Sequence, residues 1–141
     1  MARGLAQARK GKVREAIASL TAALEIDRND FDALYNRGSL LAMLRQWDGS
    51  RRDLTRAAEV EPGDAAVHGA LGTLYVHMGD NHSALRAYQQ AVELDPGSAA
   101  AHSGLGMLYR RLGQDAKGSA ELRKALELYP HNADARAALG K

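Results

Sequence analysis

The sequence predicts an all-α fold built from repeated antiparallel helix pairs, and three observations predict it. The prolines Pro62, Pro96 and Pro130 stand 34 residues apart, and the same step brings Gly38, Gly72, Gly106 and Gly140 into line. A period of this length marks a stacked repeat array. Between those marks, apolar residues return every three or four positions: Ala84, Leu85, Tyr88, Ala91 and Val92 form one helical stripe. Composition fits the same reading, because 45% hydrophobic residues with only 5% aromatics, 14 Gly and abundant Ala suit closely approaching helices better than one large-side-chain core.

Taken in order, the chain begins with a partial repeat, 1–30, which enters at position 5 of a first helix. Full repeats occupy 31–64, 65–98 and 99–132, and 133–141 starts a further first helix. Within each repeat the second helix stops where proline cannot continue the hydrogen-bond ladder, as at Asp95-Pro96-Gly97. After each stop a capping side chain, Asp30, Asp64, Ser98 or Asn132, can accept from the amides of the next helix. Gly11, Gly79 and Gly113 occupy position 15, where a left-handed residue would end the first helix. Arg45 stands there in the second repeat, so a different turn geometry is expected in that place. Small residues at positions 8, 20 and 27 let paired helices approach, and Gly72 is expected against Ala84 and Ala91.

Several function classes are excluded or disfavoured. Zero Cys removes disulfides, thiolate metal sites and a cysteine nucleophile. No phosphate loop, G-x-S-x-G elbow or H-E-x-x-H helix is present, so the chain is read as a non-enzyme with no cofactor and no metal. His68 and His102 share position 4 and are expected to serve in packing. Lys and Arg number 19 against 17 Asp and Glu, with the sign alternating between repeats, so no basic stripe for nucleic acid is expected. Arg51, Arg52 and Arg56 read as a solvated second-helix face. No apolar run approaches the roughly 18 residues of a membrane span. The first dozen residues are basic without an apolar stretch behind them, which is not a signal peptide and leads to a cytoplasmic expectation.

Leu71, Gly72, Tyr75, Ala84, Tyr88, Ala91 and Pro96, repeated in part as Leu105, Gly106, Tyr109, Leu122, Ala125 and Pro130, resemble the tetratricopeptide repeat (TPR) family. Arg37, Leu41 and Ser50 make the second repeat more divergent, and Gly118 replaces the usual Ala in the fourth. The resemblance implies a right-handed superhelical solenoid whose first helices line a concave groove. On its usual groove positions stand Tyr35, Asn36, Ser39, Met43, Thr73, His77, Ser103, Met107, Arg110 and Arg111. Asn36, Ser39, Thr73 and Ser103 could bond a peptide backbone, Tyr35, Met43 and Met107 supply apolar contact, and the Arg pair would favour a carboxylate.

The family's two-carboxylate clamp is not matched in any register: from the first repeat its places hold Met1, Leu5, Asn36, Ala66 and Ala70. The expected function is therefore a protein-interaction module that takes a peptide or helix of a partner in its groove. The alternatives are a scaffold that self-associates end to end through uncapped repeats, or a targeting segment of a larger multidomain protein. The absence of capping helices leads to the expectation of a segment from a longer array.

Overall fold

The computed structural model describes residues 2–140, with side chains from Arg9 onward. Met1, Lys141 and the side chain of Leu5, all invoked above, lie outside the described residues. Among them are eight helices and no strand, the all-α, TPR-like class expected. The chain divides into two compact units, Met1–Pro62 and Gly63–Lys141.

The N-terminal unit holds α1 (Ala2–Ile26), α2 (Phe31–Met43) and α3 (Trp47–Val60). The expected turn at Gly11 is absent: α1 runs through it without a break, and Gly11 has no positive φ. A helix tolerates one glycine for about 1 kcal/mol, so Gly11 alone does not stop α1. Asp30 caps α2 by accepting from the Ala33 amide at 3.1 Å.

At the α2–α3 turn the sequence expectation is also corrected. Arg45 adopts the left-handed conformation, φ 60°, as do Gly79 at 80° and Gly113 at 83°. The same closing bond follows in all three turns: Gln46 N to Leu41 O at 2.9 Å, Asp80 N to Tyr75 O at 2.9 Å and Gln114 N to Tyr109 O at 2.8 Å. Pairing of the two helices sets this path, and the arginine adopts the backbone that glycine adopts without strain.

α2 and α3 meet where Gly38 admits Leu54, whose Cγ stands 2.9 Å from where a Cβ on Gly38 would lie. Ser50 takes the place of the usual alanine and donates to the Gly38 carbonyl at 2.7 Å. Arg37 replaces an apolar residue and is held by Asp53 through two bonds, Nε to Oδ2 at 2.6 Å and Nη2 to Oδ1 at 2.7 Å, with Nη1 on Thr21 Oγ1 at 3.2 Å. One guanidinium thus links α1, α2 and α3, and the adjoining carboxylate raises its affinity for its proton.

The C-terminal unit holds α4 (Ala65–Met78), α5 (Asn81–Leu94), α6 (Ala99–Arg111), α7 (Asp115–Leu128) and α8 (Ala133–Ala138). Asp64, Ser98 and Asn132 accept from amides of α4, α6 and α8, and Asp80 caps α5 through the Ser83 amide. At the crossing where Gly72 is expected against Ala84 and Ala91, Tyr88 of the same stripe makes the nearest approach. The nearest neighbours of Gly72 are atoms of the Tyr88 ring, the closest 2.8 Å from a notional Cβ. The alanines lie four residues before and three after Tyr88, so they flank the ring on its own helical stripe. Gly106 makes the equivalent approach to Leu122 and to the Gly118 carbonyl, both at 2.8 Å. In every complete pair the glycine at position 8 receives the large residue at position 24.

Candidate functional site

The expected groove residues fall into two sets, one in each unit. In the N-terminal unit Tyr35, Ser39 and Met43 are spaced by four along α2 and share one stripe, with Asn36 exposed beside it. Tyr35 stacks on Phe31 with ring centroids 6.1 Å apart, which fixes its ring. Met43 is 69% exposed, a large apolar side chain with little covering it.

In the C-terminal unit α6 lies beside both α4 and α8, so the first helices form one layer. Thr73 and His77 are exposed on α4, and Met107, Arg110 and Arg111 are exposed on α6. Between them the surface carries mostly small residues: Ala66, Gly69, Ala70, Ala100 and Gly104 occupy groove positions, together with the half-buried Val76. Gly104 has a packing reason, since its notional Cβ would stand 2.5 Å from Tyr88 Cε1. Gly69 has none. It is inside α4 with an ordinary helical φ, and no atom lies within 4 Å of where its Cβ would be.

Tyr88 connects this surface to the core. Its ring passes Gly72 and Gly104, and its hydroxyl lies 2.7 Å from Thr73 Oγ1. Thr73 Oγ1 also lies 3.3 Å from the Gly69 carbonyl oxygen, and either hydroxyl can donate in the bond between Thr73 and Tyr88. Burial pushes the Tyr88 ionisation upward, with the bond to Thr73 opposing the shift.

Two expected site residues have other work. Ser103 is buried and its hydroxyl has no hydrogen-bond partner among the described residues, so it does not offer a bond at the surface. Arg110 donates to the Ala138 carbonyl at the end of α8, and its stem occupies the space beside Gly118. A side chain on residue 118 would displace that stem, which explains the departure from Ala there. Arg110, although exposed, is thus a link between α6, α7 and α8, favoured at a helix C-terminus, and Arg111 is exposed beside it.

His102 is held by both ring nitrogens. Nε2 donates to the Pro96 carbonyl at 2.7 Å, and Nδ1 lies 2.6 Å from Glu121 Oε2. It is fully buried, in the packing place expected, and no group of three or more metal-ligating side chains occurs among the described residues. Sequence reasoning missed both this pair and Arg37–Asp53. A signal was available: Asp53 and Glu121 are both at position 23, each matched to a cationic or protonatable side chain on the preceding helix. Arg56 donates to Asn29 at 2.7 Å and Arg51 lies 3.7 Å from Asp48, on an exposed face as expected. No helix among the described residues is long and apolar enough to cross a membrane.

Comparison with known proteins agrees with this geometry. A family model described as tetratricopeptide repeat matches residues 70–133, and one described as TPR repeat matches residues 4–44. Residues of this chain are 41% and 39% identical over 61 positions to the DnaJ protein P58IPK homologs A and B of Oryza sativa subsp. japonica. The match spans 43% of this chain but only 13% of each rice protein.

Among solved structures, YrrB, described as "a TPR protein with an unusual peptide-binding site", is similar with a TM-score of 0.82 and 26% identity, covering 95% of this chain and 69% of that one. A crystal structure of MamA is similar with a TM-score of 0.79 and 27% identity, over 86% of this chain and 71% of that one. The 34-residue period, the glycine-to-large-residue pairing and these matches agree, and the chain belongs to the tetratricopeptide repeat family.

Proposed function

We propose that the chain is a non-enzymatic interaction module that holds a peptide or helix of a partner protein against its first helices. Gly69 carries the reading. A glycine inside a helix costs about 1 kcal/mol relative to alanine, and this one returns neither a special backbone nor a close contact. Clearance for a ligand on the exposed side of α4 accounts for it. Around that clearance stand the exposed Thr73, His77, Met107 and Arg111, a mixture of apolar contact and positive charge suited to a segment with a large apolar residue and a nearby carboxylate. Tyr35, Asn36, Ser39 and Met43 offer a second contact stripe on α2. Similarity to YrrB, whose description includes a peptide-binding site, is consistent with this use.

The test is selection of binding peptides from a displayed random library by the purified chain, followed by affinity measurement with Gly69→Leu, Met107→Lys and Arg111→Glu. Each variant should keep its helical circular dichroism and lose tenfold or more in affinity. Peptides whose binding is unchanged in all three folded variants would refute the assignment of this surface.

A further inference from the structure

Sulfur enters this chain only as methionine, since there are four Met and no Cys. Met1 lies outside the described residues, and the other three are placed unequally. Met78 is half-buried at the end of α4, whereas Met43 is 69% exposed and Met107 is 46% exposed. Most exposed large apolar side chains stand at a helix end or just past one, as do Ile26, Met43, Leu94, Leu112, Leu128 and Tyr129. Met107 is different. Among the described residues it is the one large apolar side chain exposed inside a helix, four residues before the end of α6, at a position where α2 and α4 carry the hydroxyls of Ser39 and Thr73.

The chemistry of this side chain has two sides. A thioether is unbranched and polarizable, so it adapts to an apolar partner surface. Leucine would supply apolar contact without a reactive atom, whereas exposed sulfur accepts oxygen from a peroxide and becomes a polar, chiral sulfoxide. The surroundings amplify that change. Arg111 is four residues on, along the same stripe of α6, and is exposed. Arg110 already donates to the Ala138 carbonyl, so Arg111 is the nearer available donor to a new acceptor on the Met107 sulfur.

We propose that Met107 is a modification site, and that its oxidation by a peroxide releases the partner from the α4–α6 face. The inference rests on the binding reading above and adds its regulation. The sulfur attacks one oxygen of hydrogen peroxide, the O–O bond breaks and an S–O bond forms. Sulfur gives up two electrons, the peroxide is reduced, and both of its protons leave in the water that is formed. Apolar contact is then replaced by a strong dipole, and the sulfoxide oxygen accepts from Arg111, which withdraws the cation from a partner's carboxylate. Met107 belongs to neither of the core clusters around Tyr88 and Leu122, so the fold survives the change. Methionine sulfoxide reductases, one for each epimer, restore the thioether.

The experiment uses the intact chain and binding peptides without Met or Cys, selected by the reduced protein and kept only where Gly69→Leu weakens them. Hydrogen peroxide is applied to the protein alone and removed with catalase before peptide is added. Peptide mapping by mass spectrometry locates the added oxygen, circular dichroism reports the fold, and each protein is compared with itself before and after treatment. Oxygen should appear on Met107 before Met78, with a loss of affinity of about tenfold or more and recovery after both reductases. Met43→Leu with Met78→Leu should show the same loss, and Met107→Leu, whatever its starting affinity, should show none. The double variant decides the matter if Met107→Leu binds too weakly to measure, because Met1 and Met107 are its remaining thioethers. Unchanged affinity in a folded protein whose Met107 is fully oxidised overturns the proposal, and so does a Met107→Leu protein as sensitive as the wild type. Failure to recover any peptide that Gly69→Leu weakens overturns the binding reading itself, and this proposal with it.

Discussion

The hydroxyls of Thr73 and Tyr88 lie 2.7 Å apart, although Thr73 is on the exposed side of α4 and Tyr88 comes from α5 behind it. The ring reaches that point because Gly72 and Gly104 leave room on either side. Removing the phenol should therefore disturb the surface as well as the core. Tyr88→Phe is expected to cost about 1 kcal/mol, the net value of one hydrogen bond, by urea denaturation. It should also change stability at high pH. The folded-state ionisation of Tyr88 is raised, so its contribution is complete below the ordinary tyrosine value of 10.0 and is lost as pH rises through the higher folded value. A wild-type loss of stability above pH 10 that is smaller in Tyr88→Phe is the expected outcome.

Two glycines three residues apart on α4 should respond oppositely to the same change. Gly69→Ala meets no atom within 4 Å and should stabilise by about 0.5–1 kcal/mol through helix propensity and reduced unfolded-state freedom. Gly72→Ala places a Cβ 2.8 Å from a ring that is enclosed and hydrogen-bonded, and the overpacking, about 1–3 kcal/mol, should exceed the propensity gain. Gly72→Leu should be worse. Thermal unfolding of the three variants checks the order, and equal effects at residues 69 and 72 would contradict the pairing of Gly72 with Tyr88.

Arg45 has the backbone of Gly79 and Gly113 without their freedom. Left-handed geometry costs a non-glycine residue about 1–2 kcal/mol, and the greater unfolded freedom of glycine takes back part of that. Arg45→Gly should raise stability by about 0.5–1 kcal/mol in denaturant titration, with no change in helical circular dichroism. A loss of stability would mean that the arginine side chain contributes more than its backbone strain costs.

Arg37 and Asp53 form a pair whose acid is buried, and the third repeat supplies its apolar counterpart, Leu71 with Ala87. Arg37→Leu alone leaves a buried carboxylate without its partner and should cost about 3 kcal/mol. Arg37→Leu with Asp53→Ala should recover most of it, since a packed apolar pair often equals a buried ion pair. The double-mutant cycle measures the coupling; additive losses would show that the bidentate contact contributes nothing.

Asp80 offers a milder pH effect. Bonds from the Ser83 hydroxyl and amide, helped weakly by His82, hold its carboxyl below the ordinary 3.8 despite a small opposing desolvation. Its contribution to capping α5 is present above 3.8 and is lost as pH falls through the lower folded value. Asp80→Asn should reduce the acid sensitivity of the wild-type protein in that window, measured by thermal unfolding between about pH 5 and pH 2.

Much of this fold is local, and so the sequence by itself determined it. Helix existence, the prolines that end second helices, the caps at Asp30, Asp64, Ser98 and Asn132, and the 34-residue register depend on residues near each other in the chain. Which large residue fills each glycine gap, the left-handed backbone at Arg45, the acids paired with Arg37 and His102, the burial of Ser103 and the bond of Arg110 to the Ala138 carbonyl were decided by tertiary structure. Each depends on a side chain supplied by another helix, and a periodic stripe specifies which face turns inward without specifying what it meets. Gly69 belongs to both levels. Its position on the groove face was legible in the register, and only the open space around it distinguishes it from glycines that serve packing.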